Sequence, residues 1–214
     1  KFSKSATERI EEAVKEAITV LQGAENGWRM ELYPEGERIY GGYTLFLKFN
    51  TDNTVVASSE NFAAGKTESS YYSVVAESGP VLAFDTNNDI IHFYSSPTTG
   101  AELGIGTSNG GLEGDSDFIV MEASADFVKL KGRKTNNYAY LYPIEAGVNW
   151  KTELQSYQDA AAKMDLIYTR CVVDGVTYPI DWEMTLNNFS SRVFRISYTC
   201  LLYTSDAADD LTRV

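Results

Sequence analysis

The stretch "GGYTLFLKFNTDNTVVAS", residues 41–58, has the pattern of two β-strands joined by a tight turn. Every second residue of its first half is apolar, which places four side chains on one face of a strand: Tyr43, Leu45, Leu47 and Phe49. The run "NTDNT", residues 50–54, contains the turn-forming residues Asn and Asp, and "VVAS" returns from it. The stretch therefore predicts an antiparallel hairpin.

Short alternating segments continue on both sides of this hairpin. Upstream, "GWRMELYP" places Trp28, Met30 and Leu32 on one face. Downstream there are six more segments: "SYYSVVA", "PVLAFDT", "DIIHFYS", "DFIVMEA", "DFVKLKG" and "NYAYLYPI". About nine strands are thus predicted with no helical pattern between them, which excludes parallel β–α–β units. The fold class is mostly β: an antiparallel, lipocalin-like barrel or a sandwich.

Two helices flank this region. The first is predicted over residues 5–22, where Ser5 and Glu8 match a capping box and Gly23 supplies a stop signal. We expect it to pack on the barrel or plug it. The second is predicted over residues 149–164, with an apolar stripe that consists of Trp150, Leu154, Tyr157, Ala161 and Met164.

Strand patterns resume after the second helix in "DLIYTRCVV", "VTYPIDWEMTLN" and "RVFRISYT". The predicted organisation is a capping helix at 1–23 and a barrel or sandwich domain at 24–147. A helix with the start of a truncated second β unit follows at 148–199, and a non-native tail at 200–214.

The charge argues against two classes of partner. The formal net charge is −12, and it is −10 without the three Asp and one Arg of the tail. Such a surface repels phosphate backbones and anionic lipids, so we expect it to bind neither nucleic acids nor membrane surfaces. The one basic cluster, "KLKGRK" at 129–134, alternates cations with inward-facing Val128 and Leu130 and is interpreted as the solvated face of a strand. We expect a monomer.

The chain has two cysteines, Cys171 and Cys200. If the tail is foreign, Cys171 has no disulfide partner, and its strand pattern predicts a buried side chain. No apolar run reaches transmembrane length. The sequence lacks an initiator Met and a signal peptide, from which we expect that it begins within a longer precursor.

Candidate metal and catalytic sites find little support. His92 is the only histidine, and the strand prediction places it on one face with Ile90 and Tyr94. "FDTNNDIIHFYS" resembles the start of a calcium loop but lacks the required Gly and the final Glu. Asp115 and Asp117 would share one face of a strand, for which a solvated strand end is the simpler interpretation. We predict no catalytic residue, no metal and no cofactor.

Aromatic residues are the remaining signal. Tyr138, Tyr140 and Tyr142 alternate along one strand and therefore share one face. Such a row could be a sugar-stacking platform, the rim of an apolar cavity, or a face packed on a neighbouring element. These three tyrosines, with His92 and Tyr94, are the candidate ligand-binding residues.

Several strings in the sequence carry a family resemblance. "ATERIEEAVKEAITVLQGAENGW", "GGYTLFLKFN", "SYYSVVAESGPVLAFDTNNDIIHFYSSP" and "FVKLKGRKTNN" resemble the domain-of-unknown-function 4302 family, over residues 3–199. The resemblance implies a Bacteroidetes lipoprotein of the cell envelope, on the surface or periplasmic face of the outer membrane. It implies attachment to the membrane only through a lipid anchor outside this chain, and it supplies no catalytic residues. Separately, "CLLYTSDAADD" resembles a translated sequencing adapter, so we expect the tail to be an artefact.

Two functions remain at this point. The first is a non-enzymatic binding or accessory module that contacts a glycan, a peptide or an envelope protein. The alternative is an envelope hydrolase that uses carboxylates at the mouth of the barrel. Two acidic side chains in a pocket beside exposed aromatics would favour the hydrolase. An interior filled with side chains would oppose it and would also argue against small-ligand binding, leaving a scaffold or interaction role.

Overall fold

A computed structural model describes residues 4–99, 111–163, 171–173, 175–178, 181–184 and 194–197. Its two long helices are α1 (Ala6–Gly23) and α2 (Trp150–Lys163). Eight strands lie between them: β1 (Trp28–Tyr33), β2 (Tyr43–Phe49), β3 (Thr54–Ser59), β4 (Glu68–Ala76), β5 (Pro80–Phe84), β6 (Asp117–Ala123), β7 (Val128–Gly132) and β8 (Tyr138–Pro143). Four short strands follow: β9 (Cys171–Val173), β10 (Val176–Tyr178), β11 (Asp181–Met184) and β12 (Phe194–Ser197).

The eight strands form a closed barrel in which each strand pairs with the next. Every pairing is antiparallel, and β1 closes the barrel by pairing with β8 from Trp28↔Pro143 to Tyr33↔Tyr138. The hairpin predicted at residues 41–58 is β2 and β3, which pair from Leu45↔Ser59 to Phe49↔Val55. The mostly β prediction is confirmed, and of the two architectures the barrel is correct. An up-and-down barrel of this strand number is the lipocalin-like arrangement.

Side chains fill the barrel interior. The alternating residues of each strand point inward and are buried, among them Met30, Leu45, Leu47, Leu82, Phe84, Phe118, Leu130 and Leu141. These residues belong to one continuous apolar cluster, so the interior is a packed core. The interpretation of "KLKGRK" is confirmed for its strand part, because Val128 and Leu130 are buried while the lysines between and after them are half-buried.

Helix α1 closes one end of the barrel. Its predicted capping box is present: Glu8 N–H donates to Ser5 Oγ at 3.2 Å, and Ser5 N–H donates to Glu8 Oε2 at 2.7 Å. The backbone and side-chain hydrogen bonds from Ser5 lower the pKa of the Glu8 carboxyl. At the other terminus of the helix, Trp28 Nε1–H in the barrel donates to Leu21 O at 2.8 Å. Gln22 Nε2 donates to Tyr72 Oη, also at 2.8 Å. The helix thus plugs the barrel, as expected.

The opposite end is closed by residues 88–94, where the sequence prediction was wrong. "DIIHFYS" forms a turn and a short 3₁₀ helix at His92–Tyr94, not a strand. Asn88 explains the difference, because its Oδ1 accepts hydrogen bonds from the N–H groups of Ile90 and Ile91 and caps a helical turn. Ile90, Ile91 and Tyr94 are therefore buried together, and no strand alternation exists.

Helix α2 packs on the outside of the barrel. Phe46 points outward from β2, yet it is buried because Trp150, Leu154 and Tyr157 cover it. Trp150 Nε1–H donates to Asn26 O at 3.0 Å, which fixes the start of the helix. In the described ranges, neither helix is long and apolar enough to cross a membrane.

Two short antiparallel pairs lie beyond α2: β9 with β10, and β11 with β12. Gly175, directly before β10, has a positive φ of 81°. The domain boundary at 147–148 and the truncated second unit stay predictions. The side chain of Cys171 and the tail at 200–214, with Cys200, lie outside what the structure describes.

Candidate binding surface

Two clefts are present on the described part of this protein, and both lie outside the barrel interior. One cleft of about 360 Å³ lies outside the barrel, between the start of α2 and the segment that follows β3. It is lined by Trp150 and Lys151 together with Ala64 and Gly65. A second cleft of about 330 Å³ lies where the segment after β8 meets the loop between α1 and β1. A small molecule that bound inside the barrel would have to displace the core.

Tyr94 is a core residue in this structure. It is fully buried, and its hydroxyl lies 2.9 Å from Ser59 Oγ while Asn61 Nδ2 donates to it at 3.1 Å. His92 is half-buried, and its Nδ1 lies 3.1 Å from both the backbone N and the backbone O of Asn88. The structure therefore places Tyr94 inside the barrel and His92 in the turn that closes it. It does not bring this pair together with the tyrosines of β8 on one surface.

The two carboxylates of the hydrolase hypothesis have different surroundings. Asp115 is buried, and its oxygens accept hydrogen bonds from the N–H groups of Lys134 and Thr135 and from Thr135 Oγ1, at 2.9 to 3.3 Å. It therefore stabilises the turn between β7 and β8. The sequence had been interpreted as placing Asp115 at a solvated strand end, and for this residue that interpretation is wrong. Asp117 is half-exposed and lies 3.8 Å from Arg133. Neither residue is presented to a pocket as an acid–base pair.

An aromatic surface covers the outer wall of the barrel where β8 meets β1 and β7. It consists of five half-buried side chains, which we call the tyrosine face: Tyr33, Phe127, Tyr138, Tyr140 and Tyr142. These tyrosines point outward because Ala139 and Leu141, which alternate with them on β8, are buried in the core. The predicted row on β8 therefore exists.

Tyr140 is the centre of the tyrosine face. Its ring lies 6.4 Å from that of Tyr138 with an interplanar angle of 10°, and 6.1 Å from that of Phe127 at 19°. Tyr33 meets it edge to face at 6.2 Å, and Phe127 also contacts Tyr142 at 5.5 Å. Such contacts restrict ring motion, which reduces the entropy that a bound partner would otherwise have to remove.

Cations lie over several of these rings. The guanidinium of Arg29 lies 5.5 Å from the centre of the Tyr142 ring, and that of Arg38 lies 4.6 Å from the centre of the Tyr33 ring. Burial, followed by the nearby Glu31 carboxylate, raises the pKa of the Tyr142 phenol. The phenol is therefore neutral at physiological pH and can donate a hydrogen bond.

The sequence pattern predicted part of the tyrosine face but not all of it. Alternation along β8 identifies three tyrosines, whereas Tyr33 joins them through the β1–β8 pairing, in which Tyr33 lies opposite Tyr138. Phe127 precedes β7 and reaches the face through the β7–β8 pairing. No local pattern links these residues, although an outward-facing aromatic on each predicted strand could have identified them as candidates.

The fold and this surface define a class: an eight-stranded antiparallel barrel with a filled interior and an aromatic outer wall. The family follows from the sequence. Residues 1–200 match the model of the domain of unknown function DUF4302, and the chain belongs to that family. The family resemblance seen in the sequence is therefore confirmed, while the source organism, the lipid anchor and the adapter origin of the tail stay predictions.

Other comparisons add little. No curated protein matches the chain. Among solved structures, it is similar to japanin from Rhipicephalus appendiculatus bound to cholesterol, at 13% identity and a TM-score of 0.29. The similarity covers 64% of this chain and 88% of japanin. A likeness of this degree says nothing about what this chain binds.

Proposed function

We propose that this protein is a non-enzymatic binding module of a cell-envelope lipoprotein, and that it holds a glycan chain on its tyrosine face. The observation that carries the proposal is the set of five aromatic side chains ordered against one another around Tyr140 on the outer wall. The filled interior supports an outer site, because packing leaves a ligand no space within the barrel without rearrangement of the core.

A glycan suits this surface for chemical reasons. Sugar rings present flat C–H faces that stack on aromatic rings, while their hydroxyls pair with neutral phenol groups. Tyr138 and Tyr140 are nearly parallel and follow one strand, so they offer successive stacking positions to an extended chain. Tyr, Phe and Arg are also common where proteins bind proteins, so a peptide or a partner protein is the competing outcome of the test.

The location is part of the same proposal. The family resemblance favours a lipoprotein of the Bacteroidetes outer membrane, held by an anchor outside this chain and acting as a monomer. The hydrolase alternative needs a free carboxylate. The Asp115 carboxylate already accepts four hydrogen bonds, so it does not support that alternative. Within the described ranges, no cluster of three His, Cys, Asp or Glu residues could hold a metal ion.

A glycan and peptide array tests the proposal. We expect glycan binding that Tyr140→Ala weakens by about tenfold, because truncation of a central aromatic typically costs about 1–2 kcal/mol. Tyr138→Ala should act in the same direction. Dissociation constants would be measured by calorimetry on the glycan that the array selects.

Tyr71→Ala is the matched control. Tyr71 is an exposed tyrosine on the outer wall of β4, away from the tyrosine face, so this variant should bind as the unmodified protein does. Circular dichroism would verify that all three variants fold. Peptide hits with no glycan hits would replace the glycan by a peptide ligand. Binding that is indifferent to Tyr140→Ala would exclude the tyrosine face as the site.

A further inference from the structure

Two lysines of β7 lie beside the tyrosine face. Lys129 Nζ is 5.4 Å from the centre of the Tyr138 ring, and Lys131 Nζ is 6.0 Å from it. Two ammonium groups therefore share one aromatic ring, which stabilises each by a cation–π contact while they repel one another. Neither lysine forms an ion pair within the part of the chain that the structure describes.

Two arginines on this side of the barrel already form ion pairs. Arg133 contacts Glu77 at 3.0 Å and Asp117 at 3.8 Å. Arg29 contacts Glu31 at 3.4 Å. Lys129 and Lys131 are consequently better placed to receive an external anion than these arginines are.

The strand register explains why no acidic residue lies directly opposite Lys131. The residues directly opposite it are Ile119 on β6 and Tyr138 on β8, and neither is a carboxylate. Lys129 lies opposite the exposed Glu122, yet no ion pair joins these two residues. In a chain with a net charge of −12, this arrangement leaves a small positive site on a negative surface.

We propose that the glycan carries acidic sugars, whose carboxylates pair with Lys129 and Lys131 while the sugar rings stack on Tyr138 and Tyr140; this rests on the proposed function. The negative charge of the whole protein disfavours densely charged polymers, because they would meet repulsion beyond the two lysines. The site therefore fits isolated acidic sugars in an otherwise neutral chain. Charge complementarity thus favours acidic sugars over neutral sugars and over densely charged polymers.

Matched pairs of oligosaccharides test this inference. Glucuronate-branched xylo-oligosaccharides are compared with the same xylo-oligosaccharides lacking the branch, and sialyllactose is compared with lactose. We expect at least one acidic member to bind roughly tenfold more tightly than its neutral partner, with a preference that weakens as salt is raised.

Variants locate the effect. The double variant Lys129→Gln with Lys131→Gln should reduce the preference for the acidic member over its neutral partner about fivefold to tenfold. Glu122→Gln should strengthen acidic binding slightly, because it removes a competing carboxylate. Lys66→Gln is the matched control: Lys66 Nζ lies 4.4 Å from the centre of the Phe62 ring, outside the tyrosine face. It should change nothing.

The outcomes separate the two proposals. Neutral members that bind as tightly as acidic ones, with a loss in Tyr140→Ala, would overturn the charge inference and leave the glycan-binding function in place. Failure of all four probes would also overturn the inference, and the array would then decide the function. Polyglutamate that binds as tightly as the acidic sugars would show a general acidic-polymer site and overturn the sugar part.

Discussion

Replacement of Trp28 by alanine is expected to lower the free energy of unfolding by about 3 to 5 kcal/mol. Trp28 is fully buried in the barrel core at the start of β1, so truncation leaves a cavity that the surrounding wall cannot fill. The indole N–H also donates to Leu21 O, which joins α1 to the barrel. Chemical denaturation followed by circular dichroism would measure the loss.

Trp28→Phe separates the two contributions. It keeps most of the buried volume but removes the hydrogen bond to Leu21, so we expect a loss of about 1 to 2 kcal/mol. A similar stability for Trp28→Ala and the unmodified protein would mean that the barrel is not filled as described. An equal loss in both variants would mean that the hydrogen bond dominates and the packing does not.

Gly27→Ala is expected to lower the free energy of unfolding by about 2 to 5 kcal/mol. Gly27 has a positive φ of 86°, and an added Cβ would lie 2.6 Å from Cζ2 of Trp150 and 2.7 Å from the carbonyl oxygen of Leu47. The substitution therefore strains the backbone and also drives a methyl group between β2 and α2. Thermal and urea unfolding would measure the change.

Gly147 provides the control for Gly27. It has nearly the same φ, at 85°, but an added Cβ would meet nothing within 4 Å. Gly147→Ala should thus cost only the backbone term, about 1 to 2 kcal/mol. An equal loss in the free energy of unfolding for both variants would contradict the close approach of Trp150 to Gly27.

The sequence predicted the strands where local alternation governs burial. Tyr43, Leu45 and Leu47 are inside the barrel as predicted, because a strand that borders a core must alternate. Phe46 shows the limit of that rule: it points away from the core and is still buried, since α2 covers it from outside. Only the tertiary contact between distant segments decides this burial.

Two features of the fold could not follow from local patterns. Closure of the barrel depends on the pairing of β1 with β8, whose residues are more than a hundred positions apart, and the alternation of either strand suits a sandwich equally well. The turn at Asn88 was mistaken for a strand because two adjacent isoleucines fit both patterns. The capping hydrogen bonds of Asn88 decide in favour of the helical turn.

The binding surface, like the fold, could be predicted from the sequence only in part. Alternation on β8 places Tyr138 and Tyr140 on one face, but their exposure and partners depend on which strands flank β8. Tyr94 lies in a segment predicted as a strand, and the true helical turn directs it into the core. Residues whose position depends on a helical turn or on a distant strand were the ones that local patterns misplaced.

The most direct test of the outer-wall site is ¹⁹F NMR of protein labelled with 3-fluorotyrosine, titrated with the strongest glycan of the array. Single Tyr→Phe variants assign the signals. The outer-wall site predicts shifts for Tyr138, Tyr140 and Tyr142, with little change for the buried Tyr72 and Tyr94. Shifts confined to Tyr72 and Tyr94 would place the ligand inside the barrel and contradict the account.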